Sequence, residues 1–146
     1  MATGTIDLTI VTSDRALVHE QVDELQIPGA EGYLGILPGH AALFSELKVG
    51  ELGYRIGDRW FWLSIAWGFV EVLPDQVRIL AETAERAHEI DVERATRARD
   101  RAEERISKGG DDIDYKRALV ALERALIRLQ VSQKGRHDGD QGVGNR

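Results

Sequence analysis

The sequence predicts a β + α protein: an N-terminal flattened β-sandwich or barrel of about ten strands, followed by a C-terminal antiparallel two-helix hairpin. Three observations predict this. Through residue 84, short apolar and β-branched runs recur and are stopped by turn residues, the pattern of closely spaced strands. After Ala84 the apolar period lengthens to three and four residues, the period of a helix face. The charge divides at the same point. Residues 1–84 carry 5 Lys/Arg against 12 Asp/Glu, whereas residues 85–146 carry 14 against 13, so an acidic unit precedes a charge-dense, nearly balanced one.

The strands read as follows. Thr5 to Val11 alternates, with Ile6, Leu8 and Ile10 on one face. Leu17-Val18, Val22 to Ile27, Tyr33 to Leu37, Leu43 to Val49, Gly53 to Ile56, Arg59 to Ala66, Gly68 to Leu73 and Val77 to Ala81 follow. Pro28-Gly29, Pro38-Gly39, Gly57-Asp58 and Pro74-Asp75 interrupt them, and the short even spacing indicates a sandwich or barrel. Trp60 and Trp62 are two apart, so their side chains share a face of one strand; packing against the sheet accounts for them and for Trp67 without a ligand.

Ile90 to Ala95 opens a run without Gly or Pro that ends at Gly109-Gly110. Asp91 is placed to cap it, because its short carboxylate can accept from free N–H groups one turn on. Ala95, Ala98, Ala102 and Ile106 form one stripe of this first helix. Asp111-Asp112 starts a second, in which Tyr115, Leu119, Leu122, Leu126 and Leu129 step by four and three and predict an apolar seam. The short glycine link makes the two helices an antiparallel hairpin. The predicted units are a sandwich over 1–85, a hairpin over 86–133, and a Gly-rich polar tail over 134–146 expected to be disordered.

Composition excludes several classes of chemistry. There is no cysteine, hence no disulfide and no thiolate metal site or nucleophile. His19, His40, His88 and His137 are too scattered to suggest a metal site, and none is predicted. No P-loop and no nucleophile elbow occurs, so a bound nucleotide would be a ligand rather than a substrate. An acidic sandwich argues against nucleic acid. No apolar run is long enough to span a bilayer and the N-terminus lacks a signal-peptide pattern, so the chain is expected to be soluble and to meet a membrane only through partners.

The segment Glu31-Gly32-Tyr33-Leu34-Gly35-Ile36-Leu37-Pro38-Gly39-His40-Ala41-Ala42-Leu43 strongly resembles the signature of F-type ATP synthase epsilon subunits, Glu-Gly-x-Leu-Gly-Ile-x-Pro-Gly-His-Ala-x-Leu. Leu63 to Val72 is similar to that family's Ser-x-Gly-x-x-Glu-Val segment. Leu80 to Ala84 resembles the strand that closes its sandwich, and Ile90-Asp91-x-x-Arg94-Ala95 resembles its first helix start. The resemblance spans about residues 5–133.

The resemblance implies a non-catalytic rotor subunit of the central stalk. Such a subunit couples the catalytic head to a proton-driven c-ring and restrains ATP hydrolysis by folding and extending its hairpin. It implies contact with the c-ring through the turn Gly29, Glu31, Gly32 and Tyr33, and with the gamma subunit through Pro38, Gly39, His40, Ala41 and Leu43. Beta and alpha subunits are the implied partners of an extended hairpin. The implied location is peripheral, on the cytoplasmic face of a bacterial inner membrane. No cofactor is required. ATP is implied as a regulatory ligand at the matching positions Ile90, Asp91, Arg94, Ala95, Arg101, Arg124 and Arg128, with Glu85 nearby; guanidinium forks suit phosphate oxygens. From spacing alone the same arginines are a solvated, salt-bridged surface, since Glu93, Asp100, Glu103, Glu104 and Glu123 are interleaved with them. Likewise, residues 29–33 alone are an ordinary hairpin turn, and His40 has a local hydrogen-bonding role open to it. A free-standing nucleotide-binding regulatory module is the alternative to a rotor subunit.

Overall fold

In the computed structural model the backbone is described for residues 4–142 and the side chains through residue 135. Eight strands precede the helices: β1 (Ile6–Val11), β2 (Ala16–Val22), β3 (Glu24–Gly29), β4 (Gly32–Ile36), β5 (Leu43–Leu47), β6 (Gly50–Ile56), β7 (Arg59–Val72) and β8 (Gln76–Arg86). The count is lower than the ten expected partly because Arg59 to Ala66 and Gly68 to Leu73, read as two strands, belong to one fourteen-residue strand. The sheet runs in the order β2-β1-β8-β7-β5-β3-β4, with β6 bridging β3 and β7. β7 therefore changes partner along its length. Residues Arg59 to Ile65 pair with β6, residues Gly68 to Val72 pair with β5, and β8 accompanies both halves. Every pairing is antiparallel except β1 with β8, where Leu8 faces Val77 and Ile10 faces Ile79.

The alternation in β1 has the expected result: Ile6, Leu8 and Ile10 are fully buried. They join Leu25, Ile27, Ile36, Leu52, Leu63, Ile65, Val70, Val72 and Ile79 in one core between the layers. Each such side chain, when fully buried, contributes roughly 1.5–3 kcal/mol. Glycine is required at the point where β7 changes partner. Gly68 has φ 128°, and a Cβ there would fall on the Leu80 carbonyl oxygen.

After a single 3-10 turn (Ala87–Glu89) the chain enters α1 (Val92–Lys108) and α2 (Asp112–Gly142). Asp91 caps α1, its side chain accepting from the Arg94 N–H at 3.1 Å; Asp111 does the same for Asp114 at 2.8 Å. Gly109 and Gly110, at φ 72° and 150°, turn the chain between the helices.

The seam between the helices differs from the expected one. Ala95 and Ala102 of α1 are buried, as expected, and Ala98 is half-buried. On α2, however, Tyr115, Leu119 and Leu126 are exposed, and only Leu122 and Leu129 of the predicted seam are half-buried. The stripe turned inward runs Ala118, Leu122, Ala125, Leu129 and Ser132, with the same four-and-three spacing in a different phase. Alanines facing alanines let the helix axes approach closely, which a full row of leucines would prevent. The tail also differs: residues 134–142 continue α2. Contacts with β6 and with the 3-10 turn account for the start of this extension. Lys134 pairs with Glu51, and Gly135 packs directly on the Ala87 methyl group. The remainder of the predicted tail, residues 143–146, lies outside the described residues.

Gly68→Ala is expected to lower the unfolding free energy by more than about 2 kcal/mol, because it adds both positive-φ strain and a backbone clash. Gly35→Ala, where a Cβ meets nothing within 4 Å, is expected to change it by less than about 0.5 kcal/mol. Urea titration followed by tryptophan fluorescence measures both.

Candidate functional site

Between the hairpin and the sandwich lies a pocket of about 530 Å³ walled by four elements. The β1–β2 loop contributes Thr12, Asp14 and Arg15, and β8 contributes Glu82 to Glu85. α1 presents Arg94, Ala98 and Arg101, and α2 presents Ala121, Arg124, Ala125 and Arg128. The spacing of each arginine set follows from the helical period. Arg94 and Arg101 are seven apart, and Arg124 and Arg128 are four apart, so each pair shares a helix face. The small alanines between them leave the open volume.

Five of the eight residues expected at an ATP site line this pocket together: Glu85, Arg94, Arg101, Arg124 and Arg128. The other three have packing or capping roles in this conformation. Ile90 is buried at the hairpin root, Asp91 holds the α1 N-terminus, and Ala95 is fully buried. Sequence reasoning missed Thr12, Asp14, Arg15 and Thr83. The β1–β2 loop reaches the pocket because β1 lies parallel beside β8, and no local residue pattern announces that pairing.

The arginines differ in what engages them. Arg128 is held by Glu85 in a two-pronged pair, Nε to Oε1 at 2.7 Å and Nη2 to Oε2 at 3.1 Å. Arg15 is paired with Glu89 at 2.7 Å. Arg94, Arg101 and Arg124 have no carboxylate partner among the described residues. The pocket therefore offers three uncommitted guanidinium groups on two facing helices, an arrangement able to receive several anionic oxygens at once. Among the described residues no cluster suited to a metal ion occurs.

The two expected contact loops lie at opposite ends of β4. At one end, Gly29 pairs with Gly32 across a tight turn that leaves Glu31 exposed, while the Tyr33 hydroxyl accepts from the Glu51 N–H at 3.1 Å. At the other, the Gly39 N–H donates to the Pro74 carbonyl at 2.8 Å and His40 Nδ1 lies 2.7 Å from the Ala41 carbonyl oxygen. Pro38 is half-buried, Ala41 is exposed, and Leu43 packs against the core from the edge. Sequence reasoning missed the apolar group beside this loop. Phe44 is 67% exposed and stacks on Phe69 at 5.6 Å, and Phe69 faces Leu80 across the β7–β8 ladder; Phe69 and Leu80 are exposed too.

Two family models match the chain in succession: the ATP synthase delta/epsilon chain beta-sandwich domain over residues 5–87 and its long alpha-helix domain over residues 88–133. The ATP synthase epsilon chain of Syntrophobacter fumaroxidans is 50% identical over 129 residues, covering 88% of this chain and 96% of that one. That of Koribacter versatilis is 53% identical over 108 residues, covering 74% of this chain and 76% of its own. Among solved structures, a chain of the Euglena gracilis mitochondrial ATP synthase OSCP/F1/c-ring assembly superposes with a TM-score of 0.74 at 28% identity, covering 84% of this chain and 78% of that one. The strands described above fall within the first matched segment and the helix pair begins within the second. The chain belongs to the ATP synthase delta/epsilon chain family, on its epsilon branch.

One electrostatic feature of the hairpin root yields a pH prediction. Burial pushes the Glu89 carboxyl upward, but the Arg15 ion pair, the Arg86 N–H and the nearby His88 outweigh it and hold the group below its ordinary value of 4.5. A lowered carboxylate stabilises the fold at higher pH, and that contribution is lost as pH falls through the lowered value. Melting temperature is therefore expected to drop on acidification below about pH 4.5, and Arg15→Ala to make that drop shallower while leaving the acid-limit value unchanged. Thermal melts between about pH 3 and pH 7 check this.

Proposed function

We propose that this chain is the non-catalytic foot of the central stalk of a bacterial F-type ATP synthase, turning with the gamma subunit and the c-ring. The observation that carries this reading is the exposed row Phe44, Phe69 and Leu80, adjoining the Pro38–Ala41 loop in a chain of this family. Three large apolar side chains clustered on an outer sheet face, Phe69 directly opposite Leu80 and diagonal to Phe44, fit a partner surface better than water. Gamma is the partner that fits, and the Glu31 turn at the far end of β4 is the contact for the polar loops of the c-ring. No described helix is long and apolar enough to cross a membrane. The subunit is thus held peripherally, through its complex, at the cytoplasmic face of the inner membrane.

The hairpin serves regulation in this reading. Buried alanines contribute about 0.8 kcal/mol per methyl, against roughly 1.5–3 kcal/mol for a buried leucine, so the helices are weakly zipped. Leu119 and Leu126 are exposed in the folded hairpin, so opening does not have to uncover them. An extended hairpin buries them on gamma and brings its arginines to the beta and alpha subunits, restraining ATP hydrolysis. ATP in the arginine pocket bridges both helices and favours the folded form, to the extent that it binds that form more tightly.

Two measurements test these assignments. Phe44→Asp is expected to weaken binding to purified gamma by at least roughly tenfold while leaving the melting temperature within about 2 °C; unchanged affinity would remove the gamma assignment. Millimolar ATP is expected to raise the melting temperature of the isolated chain by roughly 2–6 °C, an increase lost in Arg94→Ala and in Arg124→Ala. Equal melting with and without ATP would remove the ligand while leaving the rotor role.

A further inference from the structure

Trp67 is the one non-glycine residue with positive φ among the described residues, at 55°. A large side chain there is strained, and such strain persists only where the surroundings enforce it. It lies at the corner of β7, where pairing with β8 passes from Ala66–Thr83 to Gly68–Ala81 and leaves Trp67 out of the ladder. Its half-buried ring carries the Arg124 guanidinium, whose carbon is 5.3 Å from the ring centroid.

The two α2 arginines of the pocket are therefore held in opposite ways. Glu85 grips Arg128 by its Nε/Nη2 edge and occupies two of its five N–H donors. Trp67 attracts Arg124 through the ring quadrupole, an attraction that needs no N–H donor. Arg124 has no hydrogen-bonded acceptor among the described residues, yet it is fixed at the pocket wall. We propose that Trp67 is a positioning residue for Arg124, presenting its guanidinium as a preformed fork to the phosphate chain of a polyphosphate ligand. This rests on the nucleotide-pocket reading above and names the group that aims one of its cations. It also assigns a use to the strain at φ 55°: the left-handed backbone puts the indole where Arg124 can rest on it.

A purely structural Trp67, one that only fastens α2 to β7, would affect hairpin docking without regard to Arg124. The test is isothermal titration of the full-length chain with sodium tripolyphosphate and with ATP, using wild type, W67G, W67F, R124Q and W67G/R124Q. Glycine relieves the positive φ and removes the ring; phenylalanine keeps an aromatic face. W67G is expected to weaken both ligands by roughly five- to tenfold and W67F by less than about threefold. The double variant is expected to bind no more weakly than R124Q alone. If W67G does not fold, W67L supplies the same comparison. Wild-type affinity in W67G, or losses that simply add in the double variant, would overturn the positioning role and leave the pocket intact. Wild-type protein silent toward both anions at millimolar concentration would overturn the nucleotide reading and this role with it.

Discussion

The pairing of β7 along its whole length is the constraint on which the rest of the structure depends. Its first half is hydrogen-bonded to β6 and its second half to β5, with β8 alongside both. The strand must therefore turn between the two halves while keeping core residues on one side. Leu63, Ile65, Val70 and Val72 all face the core, although the corner at Trp67-Gly68 lies between the two pairs. The same strand distributes the exposed chemistry. Trp62 and Trp67 meet cations from α2, and Phe69 belongs to the outer apolar row. Moving that corner by one residue would exchange inward and outward side chains beyond it.

The hairpin is attached in a different manner from the way the sandwich is built. Between the layers the sandwich relies on close-packed branched side chains. Where α2 meets the sandwich, the contacts named are largely polar or cation–aromatic: Arg124 on Trp67, Arg128 on Glu85, and Lys134 on both Glu51 and the Trp62 ring, 3.8 Å from its centroid. Apolar burial is not absent, since Val131 is fully buried. Both ion pairs are part-buried, with the Arg128 side chain 19% and the Glu51 side chain 12% exposed, so salt screens them less than it would surface pairs. The sandwich thus carries an appendage held largely through directional charged and cation–aromatic contacts rather than a close-packed branched core.

Much of this was legible in the sequence, for identifiable reasons. Period-two alternation located β1 and its inward residues, and the change of period after Ala84 located the helices with both Asp caps. The arginines that share the pocket were legible through the family pattern, whereas their helical spacing alone read as a solvated, salt-bridged surface. Three things were not. The parallel β1–β8 pairing is a long-range choice with no local mark, so the loop carrying Arg15 was missed. The α2 seam was misplaced because two apolar stripes overlap on that helix. Spacing favours Tyr115-Leu119-Leu126, while close helix packing selects Ala118 and Ala125, and size rather than hydrophobicity decides. The Gly-rich segment after residue 133 looked unable to order, but its first two residues find an acid, an indole and a methyl group to rest on.

Gly135 shows what those two residues imply. Because it lacks a side chain, α2 comes into direct contact with Ala87, in the turn from which the hairpin departs. The long helix is therefore clamped near the base of the hairpin, while among the described residues nothing packs as closely on the Gly109-Gly110 tip. Like a jackknife, the pair is tightest at its rivet, and a side chain added at Gly135 would pry at that rivet and not at the blade.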